Sequence, residues 1–151
     1  MAEMTPYRFC GISANDTWLL RAGVLWPEKE PGPSCHLPSD SRHDTFHYGV
    51  LSAEEVVSIG SFVREDHPEL PTLKHYRLRA MATHKNHRQQ GAGRMLLEGA
   101  IKALSDQGCT LVWADARHVA LGFYARLNWD VVGPTYQVPL RGPHRLVWRR
   151  I

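Results

Sequence analysis

Two hydrophobic periods alternate along the chain, one close to two residues and one close to 3.6, and they separate strand-like from helix-like segments. Asn15 or Asp16 can cap a helix that runs through Trp18, Leu19 and Leu20 to about Leu25, and Pro27 stops it. Residues 27–44 hold four prolines and Gly32 among polar side chains, which predicts a long loop. Residues 46–51 and 56–63 read as two strands of a hairpin around a turn at 52–55. Pro68 and Pro71 mark the next connection, and residues 75–82 read as a third strand. Residues 91–107 form the clearest helical pattern, with Leu96, Leu97, Ala100, Ile101 and Leu104 on one side and Gly108 just past the last turn. A short apolar strand at 110–114, a second helix from about Val119 to Leu127 and strands at 131–138 and 144–150 complete the pattern. Asn128 follows that helix, where asparagine tolerates a left-handed cap. This order predicts one α/β or α+β domain over residues 1–151, built around a single mixed sheet.

Composition narrows the partners. Eighteen Lys and Arg against fifteen Asp and Glu give a net charge of +3, mixed in sign along the chain. That excess suits a phosphate-bearing ligand without calling for nucleic acid. Arg141, Arg145, Arg149 and Arg150 near the carboxyl end read as a solvated edge strand rather than a nucleic-acid surface. Cys10, Cys35 and Cys109 lie far apart with no C-x-x-C pair, which argues against zinc and a disulfide scaffold and fits a reducing compartment. His84 and His87 have a metal-compatible spacing but no acidic or cysteine neighbour, so no metal is expected. Met1, Ala2, Glu3 and Met4 lack a basic leader, and no apolar run approaches the roughly 18–20 residues that span a bilayer. The expectation is a cytoplasmic protein without membrane partners.

Candidate chemistry centres on residues 81–97. A strand enters a loop, and the loop enters a helix at Gly91 and Gly93. The first amides of a helix lack internal partners, glycine permits close approach, and the helix terminus favours an anion. Arg88 and Arg94 add positive charge, so the segment reads as a diphosphate cradle, although the glycines alone also suit a tight turn with close helix packing. G-x-G-x-x-G is absent, and G-K-[ST] does not follow the glycines, so neither a dinucleotide nor a Walker fingerprint is present.

Arg88-Gln89-Gln90-Gly91-Ala92-Gly93 resembles the R/Q-x-x-G-x-G/A acetyl-coenzyme A motif of the GCN5-related N-acetyltransferase superfamily. Residues 120–129 resemble a second signature, A-x-x-F-Y-x-x-x-G-F, with Asn128-Trp129 in place of Gly-Phe. Residues 19–25 resemble an L-R-x-x-V-L start, and residues 142–146 a final hairpin, found in a largely uncharacterised subgroup. The resemblance implies a mostly antiparallel twisted sheet flanked by helices, with a splayed strand at the cofactor. It implies acetyl-CoA as co-substrate, held by Met81, Ala82 and Thr83 along the arm and by Arg88, Gln89, Gln90, Gly91, Ala92, Gly93 and Arg94 at the pyrophosphate. Ala120 and Phe123 of the second signature join that set, and a homodimer is expected from the family.

Direct acetyl transfer in a ternary complex needs a neutral amine, a polarised carbonyl and a proton for the leaving thiolate. By resemblance, Tyr124 is the donor to the thiolate. Counting back from the motif places His75 where some members carry a glutamate base. A regular strand would align 75, 77, 79 and 81 on one face. Glu65, Asp115, His118 and a bound water are the rival bases, and Cys109 reads as a small buried filler rather than a nucleophile. The acceptor is a small-molecule or peptide amine, and Glu28, Glu30, Asp40 and Asp44 of the long loop either attract a cation or simply solvate the loop. A longer acyl-CoA and a non-catalytic acetyl-CoA sensor are the alternative functions.

Overall fold

The computed structural model describes residues 6–151; the start, Met1 to Met4, lies outside the described residues. Seven strands form one sheet: β1 (Tyr7–Gly11), β2 (Phe46–Ser52), β3 (Glu55–Arg64), β4 (His75–Thr83), β5 (Leu111–Arg117), β6 (Asp130–Val138) and β7 (Gly142–Arg150). Their spatial order is β1-β2-β3-β4-β5-β7-β6, and among the described residues only β4 and β5 run parallel. The result is a mixed, mostly antiparallel twisted sheet flanked by helices, as expected. Strand β1 is an addition: its five residues at the sheet edge alternate weakly in polarity and carry no turn signal that would announce a strand.

One continuous helical stretch, α1, follows β1 as a 3-10 turn (Ala14–Thr17), an α turn (Trp18–Leu20) and a π turn (Arg21–Leu25). It packs through Leu20 on Ile59 and Ala82, on one face of the sheet. The other face carries α2 (Ala92–Asp106) and α3 (Leu121–Arg126). Leu96, Leu97, Ala100 and Leu104 of α2 are buried, as the 3.6-residue pattern predicts. Gly99 lets the helix settle onto the Phe9 ring, because a Cβ there would lie 2.7 Å from two ring atoms. Both α2 and α3 end in a left-handed residue with paired back-bonds: Gly108 N–H to Ser105 O and Cys109 N–H to Leu104 O, then Asn128 N–H to Ala125 O and Trp129 N–H to Tyr124 O.

The loop from Pro27 to Asp44 holds two 3-10 turns, Pro33–Cys35 and Pro38–Ser41. Arg21 pins it from α1. Its fully buried guanidinium donates to both Asp40 carboxylate oxygens at 2.6 and 3.0 Å, to Cys35 O at 2.9 Å and to Ser61 Oγ at 2.9 Å. Burial pushes the Asp40 carboxyl up, but the Arg21 and Leu37 hydrogen bonds and the Arg21 charge outweigh it and hold Asp40 below its ordinary value.

Candidate functional site

The site arises where the sheet opens. Strands β4 and β5 pair only from His75–Leu111 to Arg77–Trp113, and beyond that point they part. A β-bulge in β4 accompanies the split: Ser61 pairs with Arg79 and Ile59 with Ala82, so Ala80 and Met81 together oppose Gly60. Ala80 sits at φ 53°. The extra residue exchanges the faces of the strand. Arg79, opposite Ser61, stays on the α1 face, whereas Met81 turns to the α2–α3 face and meets Tyr124. The predicted alignment of 75, 77, 79 and 81 on one face therefore holds only up to Arg79.

The resulting cavity has a volume of about 270 Å³. Met81, Ala120 and Tyr124 line it from the α2–α3 face, and Arg77, Arg79, Asp115, Arg117 and His144 complete the lining. Leu25, Trp26 and Arg141 also line it. Arg141 comes from the β6–β7 turn and reaches Glu28 at 2.6 Å and the Trp26 ring at 5.8 Å, which ties that hairpin to the end of α1.

The glycine-rich segment lies next to Met81. A 3-10 turn (Lys85–His87) leads into it, with His84 Nδ1 accepting the Asn86 amide. Tyr7 of β1 anchors the turn through its hydroxyl, 2.9 Å from His87 Nδ1 and 3.1 Å from Gln90 Oε1. Gln89 and Gly91 are left-handed at φ 60° and 88°. Met95 N–H makes the first turn's bond to Gly91 O, so the amides of Ala92, Gly93 and Arg94 precede the helical ladder. Gly93 packs under Phe123 and Met81, where a Cβ would come within 3.2 and 3.3 Å. Arg94 pairs with Glu98 at 3.0 Å on the exposed side of α2. A free backbone edge along β4, open amides and a close glycine contact together fit an extended ligand with an anionic group.

Tyr124 is buried with its hydroxyl 3.7 Å from Met81 Sδ, and Trp129 packs on its ring at 5.1 Å. Burial pushes the phenol well above its ordinary value, so it stays protonated through the working pH range.

His75 does not reach the cavity. It is fully buried at the start of β4, where Nδ1 accepts the His67 amide at 3.0 Å and Nε2 donates to Pro71 O at 2.8 Å. Both ring nitrogens are committed to holding the 65–74 connection, which leaves none for a reacting proton. Glu65 lies at the rim, 3.4 Å from Arg77, outside the lining. Asp115 faces the cavity, but Arg77 donates to its Oδ2 at 2.7 Å and the Tyr136 hydroxyl donates to its Oδ1. Cys109 is buried, and burial pushes its thiol up, in keeping with a filler.

His144 was not legible as a candidate. It sits on β7 opposite Arg117 and Tyr136, and its Nδ1 lies 2.9 Å from Gly142 O. A carbonyl only accepts, so Nδ1 carries the proton in the neutral ring and Nε2 carries the lone pair. Nε2 has no hydrogen-bond partner among the described residues. The pairing that brings His144 beside β5 spans 27 positions and leaves no local signal.

Comparison with known proteins fits this geometry. The acetyltransferase (GNAT) family model matches residues 13–129. The chain is also 34% identical to an uncharacterised N-acetyltransferase of Bacillus subtilis, YitI, over 140 residues, 93% of each. The chain belongs to the GNAT acetyltransferase family. Its fold is shared with an acyl-CoA N-acyltransferase of Pseudomonas aeruginosa (TM-score 0.73, 18% identity, 95% of this chain and 98% of that one). It is shared equally with ElaA of Escherichia coli (TM-score 0.73, 17% identity, 97% and 99%). Membership in the GNAT family supports acyl-CoA-dependent acyl transfer. Among the described residues no cluster of metal-ligating side chains occurs, and no helix is long and apolar enough to cross a membrane.

Proposed function

We propose that the protein transfers an acetyl group from acetyl-CoA to a primary amine within a ternary complex. The observation that carries this reading is the parting of β4 and β5 beside the open amino terminus of α2. Beyond Arg77, the β4 edge facing β5 has no ladder partner among the described residues, and its backbone groups are free to pair with an amide-bearing pantetheine arm. The amides of Ala92, Gly93 and Arg94, with Arg88 beside them, suit the pyrophosphate. Met81, Ala82 and Thr83 border the arm, with Ala120 and Phe123 on its far side; Gln89 and Gln90 shape the turn.

Acetyl-CoA supplies a thioester, whose C–S bond breaks as the C–N bond of the product amide forms. His144 Nε2 is the acceptor for the proton that the attacking amine loses. Tyr124 is the donor at the sulfur end of the cavity. Asp115, with both oxygens occupied, positions Arg77 and Tyr136 rather than taking a proton.

Titration calorimetry with acetyl-CoA tests the reading, with dephospho-CoA and pantetheine as controls. Saturable binding, weakened by Arg88→Ala and by Gly91→Val, is expected, followed by CoA release in an amine panel. Folded protein that gives no binding would overturn it.

A further inference from the structure

The polar lining of the cavity is built for an anion. Four arginines line it, Arg77, Arg79, Arg117 and Arg141, against one carboxylate, Asp115. Two of the four are compensated: Arg77 by Asp115 at 2.7 Å and Glu65 at 3.4 Å, and Arg141 by Glu28 at 2.6 Å. Arg117 donates to Leu25 O at 2.9 Å but pairs with no carboxylate among the described residues. Arg79 forms neither an ion pair nor a side-chain hydrogen bond with any described residue, although it is half-buried on the cavity wall. Burial and the neighbouring arginine charges disfavour the charged state of both, Arg77 acting on Arg79 and Arg141 on Arg117. Glu65 and Asp115 offset part of this at Arg79, and Glu28 part of it at Arg117, but neither guanidinium is in direct contact with a carboxylate among the described residues. Partly desolvated guanidinium groups without a direct partner are costly, and a ligand anion would complete them.

The bulge at Ala80 decides which ligand that is. It leaves Arg79 on the α1 face, while Met81 and the glycine-rich turn lie on the other. The pyrophosphate site at α2 therefore has its own donors, and Arg79 lines the cavity from the α1 face. We infer, resting on the acetyltransferase reading, that the acceptor is a small amine carrying its own anionic group, a carboxylate or a phosphate, held by the forked donors of Arg79 with Arg117 beside it. Asp115 is already committed to Arg77 and Tyr136, so the cavity is poorly suited to a polycationic acceptor.

Matched acceptor pairs test this. CoA release is measured with glycine against glycinamide, phenylalanine against phenylalaninamide, and phosphoethanolamine against ethanolamine. The amides carry the more readily deprotonated amine, so chemistry alone favours them. The expected result is kcat/KM about tenfold or more higher for at least one anion-bearing member over its partner that lacks the anion. Which pair shows it separates carboxylate from phosphate. Arg79→Gln should bring that ratio close to one, while acetyl-CoA binding by calorimetry stays unchanged. Members without the anion turned over as well or better would overturn the inference. So would absent turnover of every pair by protein that binds acetyl-CoA, or a preference that survives Arg79→Gln. Failure of acetyl-CoA binding itself would instead sink the acetyltransferase reading beneath it.

Discussion

The Tyr124 hydroxyl and the Met81 thioether meet 3.7 Å apart across the mouth between α3 and β4. A thioether is a weak acceptor, so the phenol proton has no strong partner in this arrangement and is available to a better one. Burial keeps that proton in place at neutral pH. Tyr124→Phe removes the donor and keeps the ring that packs on Trp129. Loss of kcat by about 10²-fold is expected, with acetyl-CoA affinity nearly unchanged. Steady-state kinetics beside calorimetry checks it, and a variant with normal kcat would remove Tyr124 from the chemistry.

His144 gives a separate test of the base. His144→Ala should lower kcat by about 10²-fold or more without a matching rise in the KM for acetyl-CoA. Added imidazole should restore part of the rate, since the vacated space adjoins the cavity. The parallel change His75→Gln should act on stability instead, by loosening the 65–74 connection through lost bonds to His67 and Pro71. If His75→Gln abolishes turnover in fully folded protein while His144→Ala is silent, the assignment is reversed.

These two histidines show where sequence reading reaches its limit. Local patterns reported the helices well: α2 and its Gly108 cap, and the Asn128 cap of α3, follow from periodicity and left-handed geometry within a few residues. Strands β2 to β7 were legible for the same reason. The glycine-rich turn was legible because its chemistry is contiguous. The wall formed by Asp115, Arg117, Arg141 and His144 was not, because β5, β7 and the β6–β7 turn assemble it from residues far apart. The bulge at Ala80 left no turn residue to betray it, so counting by twos misassigned the faces of β4. Arg141, Arg145, Arg149 and Arg150 do not mark an edge strand, because β7 lies between β5 and β6, and three of the four bond within the fold: Arg141 to Glu28, Arg145 to Gly133 O and Arg149 to Leu127 O. Likewise, three of the four loop acids pair with arginine: Glu28 with Arg141, Asp40 with Arg21 and Asp44 with Arg42.

Gly93 separates ligand access from folding. A methyl there meets Phe123 and Met81 at 3.2–3.3 Å, so both must give by a few tenths of an ångström. Gly93→Ala should weaken acetyl-CoA binding while changing stability little, because a helical glycine-to-alanine change offsets part of the crowding. Gly99→Ala is the contrast. Its methyl would strike the Phe9 ring at 2.7 Å, and a loss of about 1–3 kcal/mol is expected with binding retained. Thermal melts and calorimetry on the two variants should show opposite patterns.

Asp40 links the long loop to pH. Its carboxyl is held below the ordinary 3.8 despite burial, by hydrogen bonds from Arg21 and the Leu37 amide and by the Arg21 charge. A depressed folded value means the unfolded chain binds the proton more readily, so the contribution is complete above the ordinary value and is lost as pH falls through the folded one. Asp40→Asn leaves Arg21 charged and buried without its partner, and should cost about 3–5 kcal/mol at neutral pH. The gap between the native protein and the variant should narrow as the pH drops below the ordinary carboxylate range. Urea unfolding at a series of pH values measures it; a gap that stays constant down to the acid limit would show that the pair does not carry the acid dependence. Because Arg21 also begins the turn that leads to Leu25 and Trp26 in the cavity lining, the same variant should raise the acceptor KM before it affects acetyl-CoA binding.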